Sequence, residues 1–266
     1  MRSLLADFLA AHPECRFRAL GARVNRDALD LAPYGVPIEH IDAAEHPWLV
    51  ERYHAANLAR FKGPVALPGW VLVDLYLVPA AIGLITCPAR LCDLRPPGLK
   101  DDDEAVAAAY YAAPSIVPGV VVGTSLISLR EGIGAAGIVK AMTLAMLRAK
   151  RQRGIAQWDN TSLRVHTRLG PLRLEGPVPS AHGKASESFL YSVDLGDPAA
   201  VAAAMRRPSG ASDPDEAEAA AMGARWVPVK DRAALADLLH RAAAGEAIDV
   251  LPPGLSNDGS HVLVRG

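Results

Sequence analysis

Apolar and polar positions form an ordered series of elements between Gly119 and Leu195. The series begins with a run of apolar and β-branched residues typical of a buried strand, and helical and strand-like periods follow in turn. In order, it predicts a strand at 120–129, a glycine turn at 131–137, a helix from 138 to about 153, a short apolar run ending at 158–160, a short helix reaching His166, a break at 169–171, and strands near 171–177 and 188–195.

The segments on either side of this series predict further elements. Acidic residues at 101–104 favour the first turn of a helix over the alanine-rich segment 105–113. Before the series, the pattern predicts a helix at 3–11, a strand at 16–24, a helix at 43–61 and strands at 70–78 and 80–86. After it, the pattern predicts helices at 198–207, 216–222 and 232–244 and a strand at 225–229.

This order of elements predicts an α/β (mixed α+β) fold, in which helices flank a central mixed sheet and both ends carry elaborations. A segment rich in Ser, Gly, Asp and Pro at 208–214 is typical of a linker. We therefore expect a main domain over 1–207, with its core at 65–195, and a C-terminal extension over 208–266 that packs on it.

Charge and hydropathy exclude several classes of function. The 266 residues carry a formal net charge of −1, which gives no electrostatic case for binding nucleic acid or an acidic membrane. The basic cluster at 148–153 is interpreted as the cationic end of a helix, with docking of a phosphorylated ligand as the alternative. Asp7 interrupts the first apolar stretch, which predicts an amphipathic helix rather than a signal peptide, and no apolar run is long enough to span a membrane. We expect a cytoplasmic protein.

The sequence contains no recognisable metal or hydrolase motif. Cys15, Cys87 and Cys92 make no even disulfide framework, and no second pair or nearby histidine completes a zinc site. We interpret them as ordinary reduced thiols and predict no metal. No Gly-x-Ser-x-Gly elbow, His-Glu-x-x-His pair or P-loop occurs. Asp74 and Tyr76 share one face of the strand predicted at 70–78, where a substrate cleft and a solvated strand edge explain them equally well.

The glycine turn carries the clearest candidate chemistry. Gly132, Gly134 and Gly137 form a Gly-x-Gly-x-x-Gly at the start of a predicted helix, where free backbone N–H groups and the helix dipole favour an anion. A tight turn without a ligand gives the same spacing. One interpretation is a dinucleotide site, with Asp159 near the place of a ribose-binding acid. After Asp159, however, the pattern predicts a short helix and a hairpin instead of the further βα units of a doubly wound sheet.

A second interpretation accounts for more of the residues. The segments 131–136, 158–160 and 166–171, with the helix between the first two, together resemble the core of the GNAT superfamily, the Gcn5-related N-acetyltransferases. In that family, a strand leads into an Arg/Gln-x-x-Gly-x-Gly/Ala loop that binds the pyrophosphate of coenzyme A. A later strand ends near an asparagine, a short helix presents a tyrosine four residues before a Gly-Phe, and a hairpin completes the sheet.

Several residues match that pattern and others depart from it. Gly134 and Ala136 match the glycine and small positions of the loop, and Asn160 matches the asparagine. His166 lies four residues before Gly170, at the place of the family's tyrosine. Glu131 replaces the usual Arg or Gln, and Pro171 replaces the common Phe. The neighbouring Arg130 is expected to compensate the charge of Glu131.

The resemblance implies a GNAT-like mixed sheet and an acyltransferase that uses acetyl-CoA or another acyl-CoA as co-substrate, with an acyl-carrier thioester as the alternative donor. The acceptor is expected to be an amine of a small molecule, and a homodimer is the assembly to test. His166 is the candidate general acid, and a buried histidine bonded to a neighbour is its alternative. The predicted central strand offers only Thr124, Ser125 and Ser128 in place of a glutamate base, so the candidate base is Asp74, with a water relay as the alternative. The implied donor-binding residues are Leu126, Ile127, Ser128, Leu129, Gly132, Ile133, Gly134, Ala135, Ala136 and Asn160.

Two other functions stay open on the residues alone. Glu131 places a negative charge beside the predicted pyrophosphate, which favours a non-catalytic binding or interaction protein with a degenerate donor site. The Gly-x-Gly-x-x-Gly spacing keeps a nucleotide-dependent oxidoreductase as a third function.

Overall fold

The computed structural model describes residues 2–21, 38–61, 66–73, 80–178, 188–206 and 212–266. The chain divides into two compact units, one formed by 1–150 with 197–202 and the other by 151–196 with 203–266. Within the described ranges, none of the helices combines the length and the apolar character that crossing a bilayer requires.

The described part of the first unit is a mixed sheet covered by helices. Its elements are α1 (Arg2–Ala11), β1 (Arg16–Gly21), β2 (Glu39–Asp42), α2 (Pro47–Arg60), β3 (Ala81–Pro88), β4 (Glu104–Pro114), β5 (Val120–Ser128) and α3 (Ala135–Met146). The strands follow the order β2–β1–β3–β4–β5, in which β1 and β2 pair in parallel and the other neighbours are antiparallel. The predicted mixed α/β fold class is therefore confirmed.

The helices α2 and α3 pack on opposite faces of this sheet. On the α2 face, Tyr53 lies in one buried cluster with Leu84 of β3 and Ile127 of β5. On the other face, α3 contacts β3, β4 and β5. Gly83 is the point of closest approach, because a Cβ there would lie 2.2 Å from Thr143 Oγ1 and 3.1 Å from the Val139 carbonyl oxygen. The absence of a side chain at Gly83 thus sets how closely α3 sits on the sheet.

Gly83→Ala is expected to lower the free energy of unfolding by about 1–3 kcal/mol, because the added methyl group overpacks the contact with α3. The measurement is equilibrium unfolding in urea. Gly69→Ala is the matched control, since its Cβ would meet only His54 at an ordinary 3.5 Å. Equal unfolding midpoints for the two variants would show that α3 does not depend on this contact.

The alanine-rich segment is a strand, and the predicted helix at 105–113 is wrong. Residues Glu104–Pro114 form β4, which pairs with β3 on one side and β5 on the other. Its interior is buried on both faces, and small alanine side chains suit a strand enclosed between two helices. Tertiary packing therefore overrides the high helix propensity of alanine.

Two other local predictions are corrected. A strand is predicted at 70–78, but its residues 70–73 lie in a short 3-10 helix, Gly69–Val73. Residues 74–79 lie outside the described residues. The helix predicted from 138 to about 153 begins and ends earlier, at Ala135–Met146. The basic cluster at 148–153 is thus not a helix end: Arg151 and Arg153 lie on a strand and form ion pairs with Asp194 and Glu175.

The described part of the second unit is an antiparallel sheet with its own core. Its elements are β6 (Arg151–Gln157), α4 (Ser162–Thr167), β7 (Leu172–Pro177), β8 (Ser188–Asp194), α6 (Glu216–Ala221), β9 (Ala224–Pro228), α7 (Arg232–Ala243), β10 (Asp249–Leu255) and β11 (His261–Arg265). The helix α5 (Pro198–Met205) contributes its residues up to Ala202 to the first unit. The strand order is β6–β8–β7–β10–β11–β9.

The second unit joins the predicted hairpin strands to the C-terminal strands. β7 pairs with β8 on one side and with β10 on the other. The strands β10 and β11 were not among the predicted elements; in β10, Pro252 and Pro253 interrupt the strand pattern. The predicted domain boundary at 207/208 lies outside the described residues and stays a prediction.

Candidate functional site

A β-bulge interrupts the central strand β5 before the glycine loop. Tyr111 of β4 lies opposite Ser125, whereas the next residue, Ala112, lies opposite Gly123, so Thr124 is an extra residue on β5. The Thr124 hydroxyl donates to the Tyr111 carbonyl oxygen over 3.4 Å. Bulges bend a strand and occur often beside active sites. The sequence carried one sign of it, a glycine within a strand-like run.

The half of β5 after the bulge holds the residues predicted to bind the pantetheine arm. Ile127 and Leu129 are fully buried, and Leu126 and Ser128 are partly exposed. The Leu129 amide donates to the Ala107 carbonyl oxygen of β4 over 2.8 Å, so it is already occupied. Because N–H groups alternate in direction along a strand, the amides of Leu126 and Ser128 point away from β4. The role of these two amides in binding a ligand stays a prediction.

The glycine loop presents an open helix start. Gly132 and Gly134 both have φ of 76°, in the left-handed region that favours glycine. A Cβ at either position would meet no atom within 4 Å, so open space lies in front of both residues. Gly134 is the N-cap residue of α3, and a glycine has no side chain to cap the helix. The first backbone N–H groups of α3 and the turns at Gly132 and Gly134 are suited to binding an anion.

Two carboxylates lie at the entrance of the same loop. The Glu131 amide donates to Asp93 Oδ2 over 2.6 Å, so a carboxylate already holds the first amide of the loop. The Glu131 side chain is 68% exposed, and Arg60 Nη1 lies 3.8 Å from its Oε1. Arg60 therefore offsets part of the negative charge. Neither Asp93 nor Arg60 was among the predicted site residues, because both come from segments distant in sequence.

Arg130 does not compensate Glu131, contrary to the expectation from its position in the sequence. Its guanidinium donates to Glu14 Oε1 over 2.5 Å and lies 3.6 Å from Cys15 Sγ. A hydrogen bond from the backbone of Glu14 itself and a second one from Arg130 hold the pKa of this carboxyl below its usual value. Arg130 thus pairs with Glu14, just before β1, rather than with its neighbour in the loop.

Asn160, in the second unit, makes a local contact. Its Oδ1 accepts a hydrogen bond from the Ser162 amide over 2.9 Å, which is an Asx turn at the start of α4. The predicted role of Asn160 in donor binding stays a prediction.

His166 is enclosed in a polar network of the second unit. It is 6% exposed, and its Nδ1 lies 3.1 Å from the Tyr191 hydroxyl. Gln152 Nε2 donates to the same hydroxyl over 2.8 Å. With its oxygen accepting from Gln152, the Tyr191 hydroxyl can donate to Nδ1, which leaves the imidazole proton on Nε2. Burial raises the pKa of the Tyr191 phenol, so it stays a neutral hydrogen-bond partner.

Tyr191 and Gln152 were not predicted as site residues. One sequence signal could have found them: Gly154 lies within β6, and a Cβ there would approach the Tyr191 hydroxyl to 2.8 Å. Glycine inside a strand often marks such a close approach. Asp74 lies outside the described residues, so its role as a base stays a prediction.

No protein-family profile matches the sequence, and no curated protein sequence matches it either.

Comparison with solved structures does return matches. A protein from Desulfovibrio desulfuricans, described as a GNAT-family acetyltransferase, has 12% identity and a TM-score of 0.42, covering 68% of this chain and 99% of its own. A protein from Salmonella typhimurium, described as an acetyltransferase and solved with acetyl-CoA, has 13% identity and a TM-score of 0.37, covering 66% and 95%. A spermidine N-acetyltransferase variant from Vibrio cholerae has 6% identity and a TM-score of 0.39, covering 69% and 95%. In these comparisons the chain is similar to solved acetyltransferases at 6–13% identity.

Proposed function

We propose that this protein transfers an acyl group from an acyl-CoA thioester to an amine of a small molecule. The observation that carries the proposal is the open glycine loop between β5 and α3. Gly132 and Gly134 leave the backbone exposed there, and the N-cap residue of α3, Gly134, has no side chain to cap the helix. Such a helix start can hold the pyrophosphate of coenzyme A through backbone N–H groups alone.

The chemistry of the proposed reaction needs three kinds of group. The amine attacks the thioester carbonyl, which develops an oxyanion. Backbone amides directed at this oxyanion would stabilise it, and those of Leu126 and Ser128 are the candidates. The bond to sulfur then breaks, and the thiolate of coenzyme A leaves. A base, for which Asp74 is the candidate, takes the amine proton, and an acid returns a proton to the sulfur. His166 is the proposed acid.

The carboxylates of Glu131 and Asp93 favour a second candidate function. Both lie at the entrance of the loop, where a pyrophosphate would add further negative charge. Like charges at close range oppose binding. This observation supports a non-catalytic binding protein that keeps the scaffold and has lost the donor site.

Turnover separates the two candidates. The full chain is incubated with acetyl-CoA and a panel of primary amines, including polyamines, amino acids and aminoglycosides, and acetylated products are detected by mass spectrometry. The proposal expects acetylation of at least one amine that depends on the protein. Absence of any enzyme-dependent product, together with retained binding of an amine, would favour the binding protein.

His166→Phe is expected to lower kcat about a hundredfold with the Kd of acetyl-CoA unchanged, because general acid catalysis contributes about 10²–10⁴-fold. The readout is steady-state kinetics beside calorimetric binding of acetyl-CoA. Tyr191→Phe is the matched control, since it removes the same hydrogen bond but keeps the imidazole, and it is expected to stay within about tenfold of the wild type. Full turnover in His166→Phe would remove His166 from the reaction.

A further inference from the structure

Three thiols lie together at one end of the first unit's sheet. Cys15 comes directly before β1 and Cys87 lies near the end of β3, where the antiparallel register that pairs Arg16 with Thr86 places the two cysteines opposite each other. The 3-10 turn Ala89–Leu91 then returns the chain, so that Cys92 Sγ lies 3.9 Å from Cys87 Sγ. All three are free thiols. Cys15 is distant in sequence from Cys87 and Cys92, so the fold itself assembles this thiol cluster.

Cys87 is the centre of the thiol cluster. It lies within hydrogen-bonding reach of both Cys15 and Cys92. The hydrogen bond from Cys15 and the one from Cys92, with the nearby positive charge of Arg130, outweigh burial and hold the pKa of the Cys87 thiol well below its usual value. Hydrogen bonding to Cys87 raises the pKa of the other two thiols, which therefore keep their protons.

The two neighbours of Cys87 differ in their freedom to move. Cys15 is buried, and the Arg130 guanidinium lies 3.6 Å from its sulfur. Cys92 is partly exposed and follows a short turn rather than a strand. A disulfide needs the two sulfurs at about 2.05 Å, so Cys92 has less than 2 Å to travel. Cys92 is accordingly the better partner, and its exposed side gives a small oxidant access to the cluster.

We propose that Cys87 and Cys92 are an oxidisable pair, which hydrogen peroxide converts into a disulfide. The Cys87 thiolate attacks one peroxide oxygen, the O–O bond breaks, and Cys87 becomes a sulfenic acid while the leaving oxygen takes a proton to form water. The Cys92 sulfur then attacks Cys87 sulfur, the S–O bond breaks, and the Cys92 proton leaves with the oxygen as a second water. The peroxide is reduced by two electrons, and the two thiols are oxidised by two. The site adjoins the glycine loop, because Asp93 is the residue that holds the Glu131 amide.

The test uses the full chain, reduced and freed of reductant, with one equivalent of hydrogen peroxide. After a pulse, free thiols are blocked with N-ethylmaleimide, and intact mass and tryptic peptides are measured. The reduced protein is expected to take three labels, one for each free thiol. After peroxide it is expected to take a single label, at Cys15, with the peptides of Cys87 and Cys92 joined; trypsin separates them at Arg90 unless a disulfide links them. The reaction is expected to be about tenfold faster in the native chain than in urea, because an ordinary thiol is only a few per cent thiolate at pH 7.

Single variants assign the two roles. Cys92→Ser is expected to stop at the sulfenic acid of Cys87, which dimedone traps, and Cys87→Ser is expected to leave both remaining thiols free to react with the label. Cys15→Ser is the matched control, a cluster thiol outside the pair, and is expected to form the disulfide still. Three labels after peroxide, a disulfide that includes Cys15, or equal rates in the native and unfolded chain would each overturn the proposal. None of these readouts depends on acyl transfer.

Discussion

Gly134→Ala is expected to weaken the binding of acetyl-CoA by at least about tenfold, which corresponds to about 1.4 kcal/mol. Gly134 has φ of 76° and is the N-cap residue of α3. The added methyl group would touch no protein atom within 4 Å, so it would project into the open space in front of the loop amides. An anion bound there would have to withdraw from those amides. Calorimetric titration of both proteins with acetyl-CoA is the measurement.

The strain of the substitution needs a control of its own. A residue with a side chain in the left-handed region costs about 1–2 kcal/mol of stability. Gly223→Ala imposes a similar strain, since Gly223 has φ of 66° and open space at its Cβ, but it lies in the turn before β9. It is expected to lose stability to a similar extent and to bind acetyl-CoA as the wild type does. Wild-type affinity in a folded Gly134→Ala protein would mean that the loop does not hold the donor.

Trp158→Ala is expected to lower the free energy of unfolding by about 3–5 kcal/mol, the cost of removing a large aromatic side chain from a core. Trp158 is fully buried in the core of the second unit, and its ring centroid lies 4.1 Å from that of Phe189. The side chains around it, among them Leu163 and Leu174, belong to the same cluster. The cavity would therefore open beneath the short helix that carries His166.

Unfolding in urea, followed by circular dichroism, measures this effect. Trp70→Ala is the control, because Trp70 is 74% exposed in the 3-10 turn and its loss is expected to change stability by no more than about 0.5 kcal/mol. If both variants unfolded at the urea concentration of the wild type, Trp158 would not be a core residue.

The order of elements from β5 to β8 could be predicted because each carries a local signal. The run at 120–129 is β-branched, the glycines of the loop need positive φ, and Asn160 starts its helix with its own side chain. The existence and type of these elements therefore depend on neighbours in sequence. Their boundaries were less reliable, as the early end of α3 at Met146 shows.

The alanine-rich strand β4 could not be predicted from its own residues. Alanine favours a helix in isolation, and the acidic residues at 101–104 imitate a helix start. The strand forms because β3 and β5 supply hydrogen-bonding partners on both sides. That information lies in segments elsewhere in the chain.

The charged partners around the glycine loop could not be predicted from the sequence for the same reason. Arg130 is adjacent to Glu131 in the chain, but Glu14 holds its guanidinium at 2.5 Å. Arg60 and Asp93 reach the loop from α2 and from the turn after β3. Likewise, the spacing of Cys87 and Cys92 matched no metal motif, and only the fold brings Cys15 beside them. A site assembled from several elements requires their tertiary arrangement to be known.

Isothermal titration of the wild-type chain with acetyl-CoA, NAD and NADP tests the central claim most directly, namely that the loop before α3 holds the phosphates of a thioester carrier. We expect saturable binding of one acetyl-CoA per chain, competed by free coenzyme A and lost or weakened in Gly134→Ala, with no binding of either dinucleotide. Binding of NAD or NADP without acetyl-CoA, or of none of the three, would contradict it.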